Sequence, residues 1–136
     1  MEKTEIIKIY EEISKNYPED FTLEFDEEYP NDNANGGISS NHNVIVINWV
    51  KMKDADKDKW ICFFKHELGH DIHYRLFMSK IRRIRELSKL VEEEIEAYSD
   101  KSKGESIADE LGEEYYKMCV LEDKKLSYMD YKGGLK

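Results

Sequence analysis

The chain has 136 residues, 40% of them hydrophobic and 12% aromatic, which is enough for one folded domain with its own core. A net charge of −9 and a sequence pI near 5.0 argue against nucleic acid or an anionic membrane as partner, because both bind surfaces rich in Lys and Arg. No apolar run approaches the about 18 residues of a membrane span. Two cysteines, Cys62 and Cys119, are too few for a disulfide framework, so we expect a cytoplasmic protein.

The first half of the chain predicts one helix and a small sheet. Apolar residues recur at helical spacing over 4–16, and Pro18 follows. FTLEF, at 21–25, alternates apolar and polar residues and predicts a strand. VIVINWV, at 44–50, predicts a second, well-buried strand. The turn-rich segment between them ends in GISSNHN, at 37–43, which can complete a hairpin.

The second half predicts helices. Asp54 or Asp56 can cap a helix over 60–77. An apolar stripe predicts another helix over 79–98, DKSKG breaks it, and a last helix covers 105–122. This order predicts an α+β fold with a small antiparallel or mixed sheet of about three strands. The single domain is expected over 1–122, followed by a loose tail over 123–136.

The most informative segment is KHELGHDIH, at 65–73. On a helix, His66 and His70 lie one turn apart on one face, where two imidazoles can bind one tetrahedral metal ion. Glu67 points to the side, where its carboxylate can reach a metal-bound water. The opposite face is apolar and consists of Ile61, Phe64, Leu68 and Ile72. The segment therefore predicts a zinc site in preference to structural histidines.

Such a site needs a third protein ligand. Two downstream segments place a Glu and an Asp on one helix face: EAYSD, which begins at Glu96, and ESIAD, which begins at Glu105. Glu96 lies in an acidic run that is typical of a solvated face. We favour Glu105, because it begins a new helix in which Gly112 permits close packing. Asp109 would then orient a ligating histidine.

HELGH at 66–70 and ESIADELG at 105–112 together resemble the gluzincin metallopeptidases, whose second motif in the thermolysin group reads E-x-I-x-D-x-x-G. The small size and the strand before the histidine helix also resemble the ImmA/IrrE-type peptidases and the mini-gluzincins. Asp109 stands where ImmA/IrrE-type sequences usually carry Asn, which favours the mini-gluzincins. The resemblance covers roughly 33–116, and the helix over 79–98 looks like an insertion that caps the cleft or binds a partner.

The resemblance implies a zinc metallopeptidase that acts on a peptide or protein substrate. Zinc held by His66, His70 and Glu105 would activate a water molecule, and Glu67 would take the proton of that water as general base.

A further group should stabilise the oxyanion that forms during hydrolysis. In resembling enzymes this group is a Tyr or His, and the candidates here are His73, Tyr115, Tyr116 and His42. His73 falls on the same helix face as the two predicted ligands.

Substrates of this class usually add as a strand to the sheet edge beside the histidine helix. The pair Asn33 and Ala34 resembles the Asn-Ala signature of the gluzincin edge strand, which clamps the substrate backbone. A plain turn rich in Asn explains the same residues equally well.

Two other functions stay open. A zinc amide hydrolase could act on a small molecule or a formyl group, but deformylases take a Cys ligand from an upstream strand, whereas Cys62 lies within the helix itself. A non-catalytic zinc-containing interaction protein is the other alternative. Glu67 counts against it, because a structural site needs no base.

Overall fold

The computed structural model describes residues 1–78, 82–87 and 101–128. It confirms the α+β class, and its elements are α1 (Lys3–Ser14), β1 (Thr22–Asp26), β2 (Gly36–Ser39), β3 (Val44–Asn48), α2 (Trp49–Met52), α3 (Lys57–His73) and α4 (Lys101–Tyr115). Helices α3 and α4 each continue into a π-helical turn, at Tyr74–Met78 and Tyr116–Leu121. No helix within the described ranges is long and apolar enough to cross a membrane.

The sheet is mixed and has three strands in the order β1-β3-β2. Strand β1 pairs in parallel with β3, and β2 pairs with β3 as the antiparallel hairpin that the sequence predicts. Strand β3 ends at Asn48, two residues earlier than predicted. The reason is that the Asn48 side chain accepts a hydrogen bond from the Lys51 backbone N–H at 3.3 Å and so begins α2.

One core joins α1, the sheet and the inner faces of α3 and α4. The predicted apolar face of α3 is buried there, with Phe64, Leu68 and Ile72 fully enclosed. Full burial of each such side chain contributes about 1.5–3 kcal/mol. Asp56 caps α3 by accepting a hydrogen bond from the Lys59 N–H at 2.9 Å. The core therefore fixes which face of α3 is left for other contacts.

Two predictions about the second half need correction. Helix α4 already includes Lys101 and Gly104, so the expected break at DKSKG is wrong for the described residues of that segment. Of the helix expected over 79–98, the structure describes only 82–87. There Ile84 forms a β-bridge and Arg85–Leu87 form a 3-10 turn, instead of α-helix. The rest of that stretch lies outside the described residues.

The described part of the C-terminal segment packs against the rest of the chain, where the sequence predicted a loose tail. Leu126 is buried, and its N–H donates to the Asn16 carbonyl oxygen at 3.1 Å. The Ser127 N–H donates to a Glu86 carboxylate oxygen at 2.8 Å, beside the bridge between Ile84 and Tyr128.

Candidate metal centre

Two helices supply the candidate site. With its apolar residues in the core, α3 directs His66 and His70 to the opposite side. Helix α4 packs along α3 and carries Glu105 and Asp109 one turn apart on the facing side. The structure therefore brings together the two predicted histidine ligands, the predicted glutamate ligand and Asp109.

Three nitrogen and oxygen atoms converge on one point. His66 Nε2 lies 2.7 Å from Glu105 Oε2 and 3.0 Å from His70 Nε2, and His70 Nε2 lies 3.3 Å from Glu105 Oε1. Ligand atoms at 2.0–2.1 Å from a tetrahedral zinc ion stand about 3.3 Å apart. The longest of the observed separations equals that value and the other two are shorter, so small outward shifts of the side chains would let His66, His70 and Glu105 hold one such ion. They form the one group of this kind among the described residues.

Asp109 fixes the orientation of the His66 ring. Its Oδ1 lies 2.6 Å from His66 Nδ1, and because a carboxylate only accepts, Nδ1 must carry the proton. The unprotonated Nε2 of His66 is therefore directed at the convergence point. In zinc sites, a carboxylate that accepts from the other ring nitrogen of a ligating histidine orients the ring in the same way.

The two imidazoles have opposite pKa shifts. Burial disfavours the charged form of His66, but the hydrogen bond that its Nδ1–H donates to Asp109 and the charges of Glu67, Asp109 and Glu105 outweigh burial and raise the pKa of His66. Burial and the neighbouring charge of His66 lower the pKa of His70. The two Nε2 atoms lie 3.0 Å apart, so a charge on one ring disfavours a charge on the other.

Glu67 is a buried carboxyl group beside this cluster, and only 5% of the residue is exposed. Burial raises its pKa to about 7, with a smaller upward contribution from Glu105 and an opposing one from His66. A base whose pKa lies near neutrality suits proton transfer at physiological pH.

The cluster lies in a cavity of about 900 Å³. Its floor is one face of α3 and the residue after it, from Lys59 through Phe63 to Tyr74. One wall consists of residues 34–41, which include all of β2, and Glu105 and Asp109 form the other side. The cavity is therefore a groove between an edge strand and the cluster.

None of the four candidates for the oxyanion donor lines this cavity. Tyr115 is fully buried, and its hydroxyl donates to the Ile13 carbonyl oxygen in the core, so its assignment is corrected. Tyr116 lies outside, with the Lys65 ammonium 4.6 Å from its ring centroid. His42 is exposed and contacts Ser39 Oγ through Nδ1 at 2.8 Å.

His73, the fourth of these candidates, is half-buried near the end of α3. Burial and the charge of His70 lower the pKa of His73, and His73 is not part of the cavity lining.

Tyr74 is the residue that sequence reasoning missed. It lines the cavity, and its hydroxyl donates to Asn41 Oδ1 at 2.7 Å. Its spacing provides a signal, because Tyr74 follows His70 by one helical turn and so faces the same side.

The predicted Asn-Ala pair is divided by the structure. Ala34 lines the cavity, and its carbonyl oxygen accepts from Asn48 Nδ2 at 2.9 Å. Asn33 is exposed, and its carbonyl oxygen accepts from the Lys51 ammonium outside the cavity. Only Ala34 is thus placed to contact a ligand in the groove.

Cys62 is exposed and lines the cavity as an unpaired thiol. It does not belong to the group of converging ligand atoms. The candidate ligand set therefore consists of two imidazoles and one carboxylate and does not include the thiolate of a deformylase-like site.

Comparison with known proteins gives no relative: no protein-family model matches the chain, and no curated protein or solved structure matches it.

Proposed function

We propose that this protein is a small zinc-dependent metallopeptidase of the gluzincin type, with His66, His70 and Glu105 as metal ligands. The observation that carries the proposal is the convergence of these three side chains, with separations of 2.7–3.3 Å, beside the buried carboxyl of Glu67. A purely structural zinc site gives no reason for a carboxyl group in that position.

When bound, zinc would supply a Lewis acid that polarises the peptide carbonyl and acidifies water. Glu67 would accept the proton of the attacking water and pass it to the departing amine, a role that suits its raised pKa. Asp109 would keep His66 in the tautomer and orientation that ligation requires.

The edge of β2 supports a peptide as the substrate. Within the described part of the chain, β2 pairs with β3 alone, so its other edge has free backbone groups along the cavity. An extended peptide can add to such an edge by backbone hydrogen bonds, independently of its sequence. We also propose the reducing cytoplasm as its location, because Cys62 and Cys119 are both free thiols.

The proposal is tested by cleavage of a peptide library with zinc-loaded wild type and Glu67→Gln. The variant should keep its fold and its zinc but lose at least about 100-fold in rate. Glu113→Gln is the matched control, because this α4 carboxylate is exposed, pairs with Lys65 and lies outside the cavity. Equal cleavage by Glu67→Gln and wild type would overturn the proposed role of Glu67.

A zinc amide hydrolase that acts on a small molecule is the second candidate. The cavity volume of about 900 Å³ supports it, because pockets for small ligands span about 300–1,000 Å³. Parallel assays with N-formyl and N-acyl amides separate the two: turnover of these amides without peptide cleavage favours the second candidate.

A further inference from the structure

The groove over the metal centre has a defined direction. Strand β2 and helix α3 run the same way along it: Gly36 lies against Phe63, where an added Cβ would stand 2.9 Å from Phe63 Cζ, and Asn41 contacts Tyr74. The extended part of the wall is Gly36–Ser39, and Ser40 and Asn41 belong to the turn that leads to β3. The two contacts still show that the wall and the floor run in the same direction from Phe63 to Tyr74.

The Tyr74–Asn41 hydrogen bond closes one end of the groove. At 2.7 Å it joins the floor to the wall, and among the described residues the cavity lining stops at this pair on both elements. Tyr74 lies about 9 Å along the helix from the midpoint between His66 and His70, which leaves space for less than three extended residues. The opposite direction has more room, because Lys59 lines the cavity about 14 Å from the same midpoint along the helix.

Two arguments give the orientation of a peptide in this groove. Antiparallel pairing is the more stable ladder, and antiparallel to β2 it places the amino end of the peptide at Tyr74 and Asn41. The charges agree with this orientation. The Lys59 ammonium would repel a peptide amine at its end of the groove, whereas the closed end offers hydroxyl and amide oxygens, including those of Ser40 and Asn41.

We propose that the cleft admits only about one or two residues on the amino-terminal side of the cleaved bond, so that the protein is an aminopeptidase for unblocked chain ends, with Tyr74 and Asn41 setting this specificity. The inference rests on the proposed peptidase function. Hydrolysis adds the water hydroxyl to the carbonyl carbon and a proton to the departing nitrogen. It releases an amino acid or dipeptide and a shortened peptide with a new amino terminus.

The test compares zinc-loaded wild type on one peptide in two forms, with a free and with an acetylated amino terminus, and identifies the products by mass spectrometry. We expect release of one or two residues from the free terminus and at least about 100-fold slower cleavage of the acetylated form.

Tyr74→Phe and Asn41→Ala should each raise cleavage of the acetylated peptide about tenfold. The double variant should gain no more than either single one, because both remove the same hydrogen bond. Tyr116→Phe is the matched control and should behave as wild type.

A second readout does not depend on turnover. Glu67→Gln should bind the free peptide at least about tenfold more tightly than the acetylated one in calorimetry, and Asn41→Ala in that background should remove the difference.

Internal cleavage of both forms at equal rates would overturn the inference and leave the peptidase function standing, as would release from the carboxyl end. Loss of all cleavage in Tyr74→Phe would assign Tyr74 to catalysis instead. If wild type cleaves no peptide at all, the proposed function fails, and this inference fails with it.

Discussion

Gly69 of α3 lies against the backbone of Ala108 of α4, so closely that a Cβ added to Gly69 would stand 1.9 Å from the Ala108 carbonyl oxygen. A second close contact lies nearby: a Cβ added to Gly112 of α4 would stand 2.3 Å from the Lys65 carbonyl oxygen of α3. Each helix thus contributes one glycine at which the backbone of the other helix comes close. This approach places Glu105 within hydrogen-bond distance of both imidazoles, so helix packing and ligand geometry depend on the same contact.

Gly69→Ala and Gly112→Ala should therefore force α3 and α4 apart. Because each new methyl group meets backbone, we expect a loss of about 1–3 kcal/mol or more in the free energy of unfolding, measured by urea denaturation, together with weaker zinc binding. Gly104→Ala is the control. An added Cβ there meets nothing within 4 Å, so this substitution in the same helix should stabilise by about 0.5–1 kcal/mol. Equal effects at the three glycines would contradict the packing argument.

Asp109→Asn should weaken zinc binding without removing a ligand. The amide can no longer accept as strongly from His66 Nδ1, so the orientation of the ring is less well fixed. Loss of such a partner typically costs about 10–100-fold in metal affinity, which a competition titration with a chelating dye would measure. Glu113→Gln, one turn further along α4, should leave the affinity unchanged. An Asp109→Asn affinity equal to wild type would remove Asp109 from the site.

A buried ion pair at the end of α3 makes a separate prediction. Asp71 is fully buried, and its Oδ2 accepts from Arg75 Nε at 2.8 Å and from the Tyr17 hydroxyl. Arg75→Met leaves that carboxylate without its cation and should cost about 3–5 kcal/mol in urea denaturation. Asp71→Asn added to Arg75→Met should recover part of the loss. Arg82→Met, at a half-exposed arginine, should cost less than about 1 kcal/mol; a loss equal to that of Arg75→Met would refute the burial argument.

Glu19 predicts a pH dependence of stability. Burial opposes its charged form, but the hydrogen bond from Tyr128 and the charges of Arg75 and Arg82 outweigh burial and lower its pKa. A carboxyl whose pKa is lower in the folded chain stabilises above its unfolded value, about 4.3, and loses that contribution as the pH falls through the folded value.

Glu19→Gln should therefore be less stable than wild type at pH 7, and the difference should shrink below about pH 4. Urea midpoints between pH 3 and pH 7 would measure it, with exposed Glu24→Gln reporting the general effect of removing one negative charge. A Glu19→Gln difference that is constant across this range would contradict the assigned contacts.

The grouping of the candidate ligands on each helix was predictable, because helix periodicity decides which residues share a face. His66 and His70 share a face, as do Glu105 and Asp109, and Gly112 indicates the close approach that joins the two pairs. The position of Tyr115 was less apparent. Tyr115 lies on the same buried face of α4 as Ala108 and Leu111. Which face of α4 is buried depends on how α4 packs against α3.

Element boundaries were harder to predict because local preferences compete there. Trp49 and Val50 favour a strand, but the cap by Asn48 turns the chain into α2. Gly104 indicates a break, yet a helix tolerates one glycine at a cost of about 1 kcal/mol. The bond between Tyr74 and Asn41 joins two elements far apart in sequence, and no local pattern reports such a contact.

Zinc titration of the metal-free protein tests the central claim most directly. We expect one zinc ion per chain for wild type, and a loss of at least about 100-fold in affinity for His70→Ala and for Glu105→Gln, with Glu113→Gln unchanged. Failure of wild type to bind zinc, or wild-type affinity in Glu105→Gln, would contradict the claim that two imidazoles of α3 and one carboxylate of α4 hold the metal.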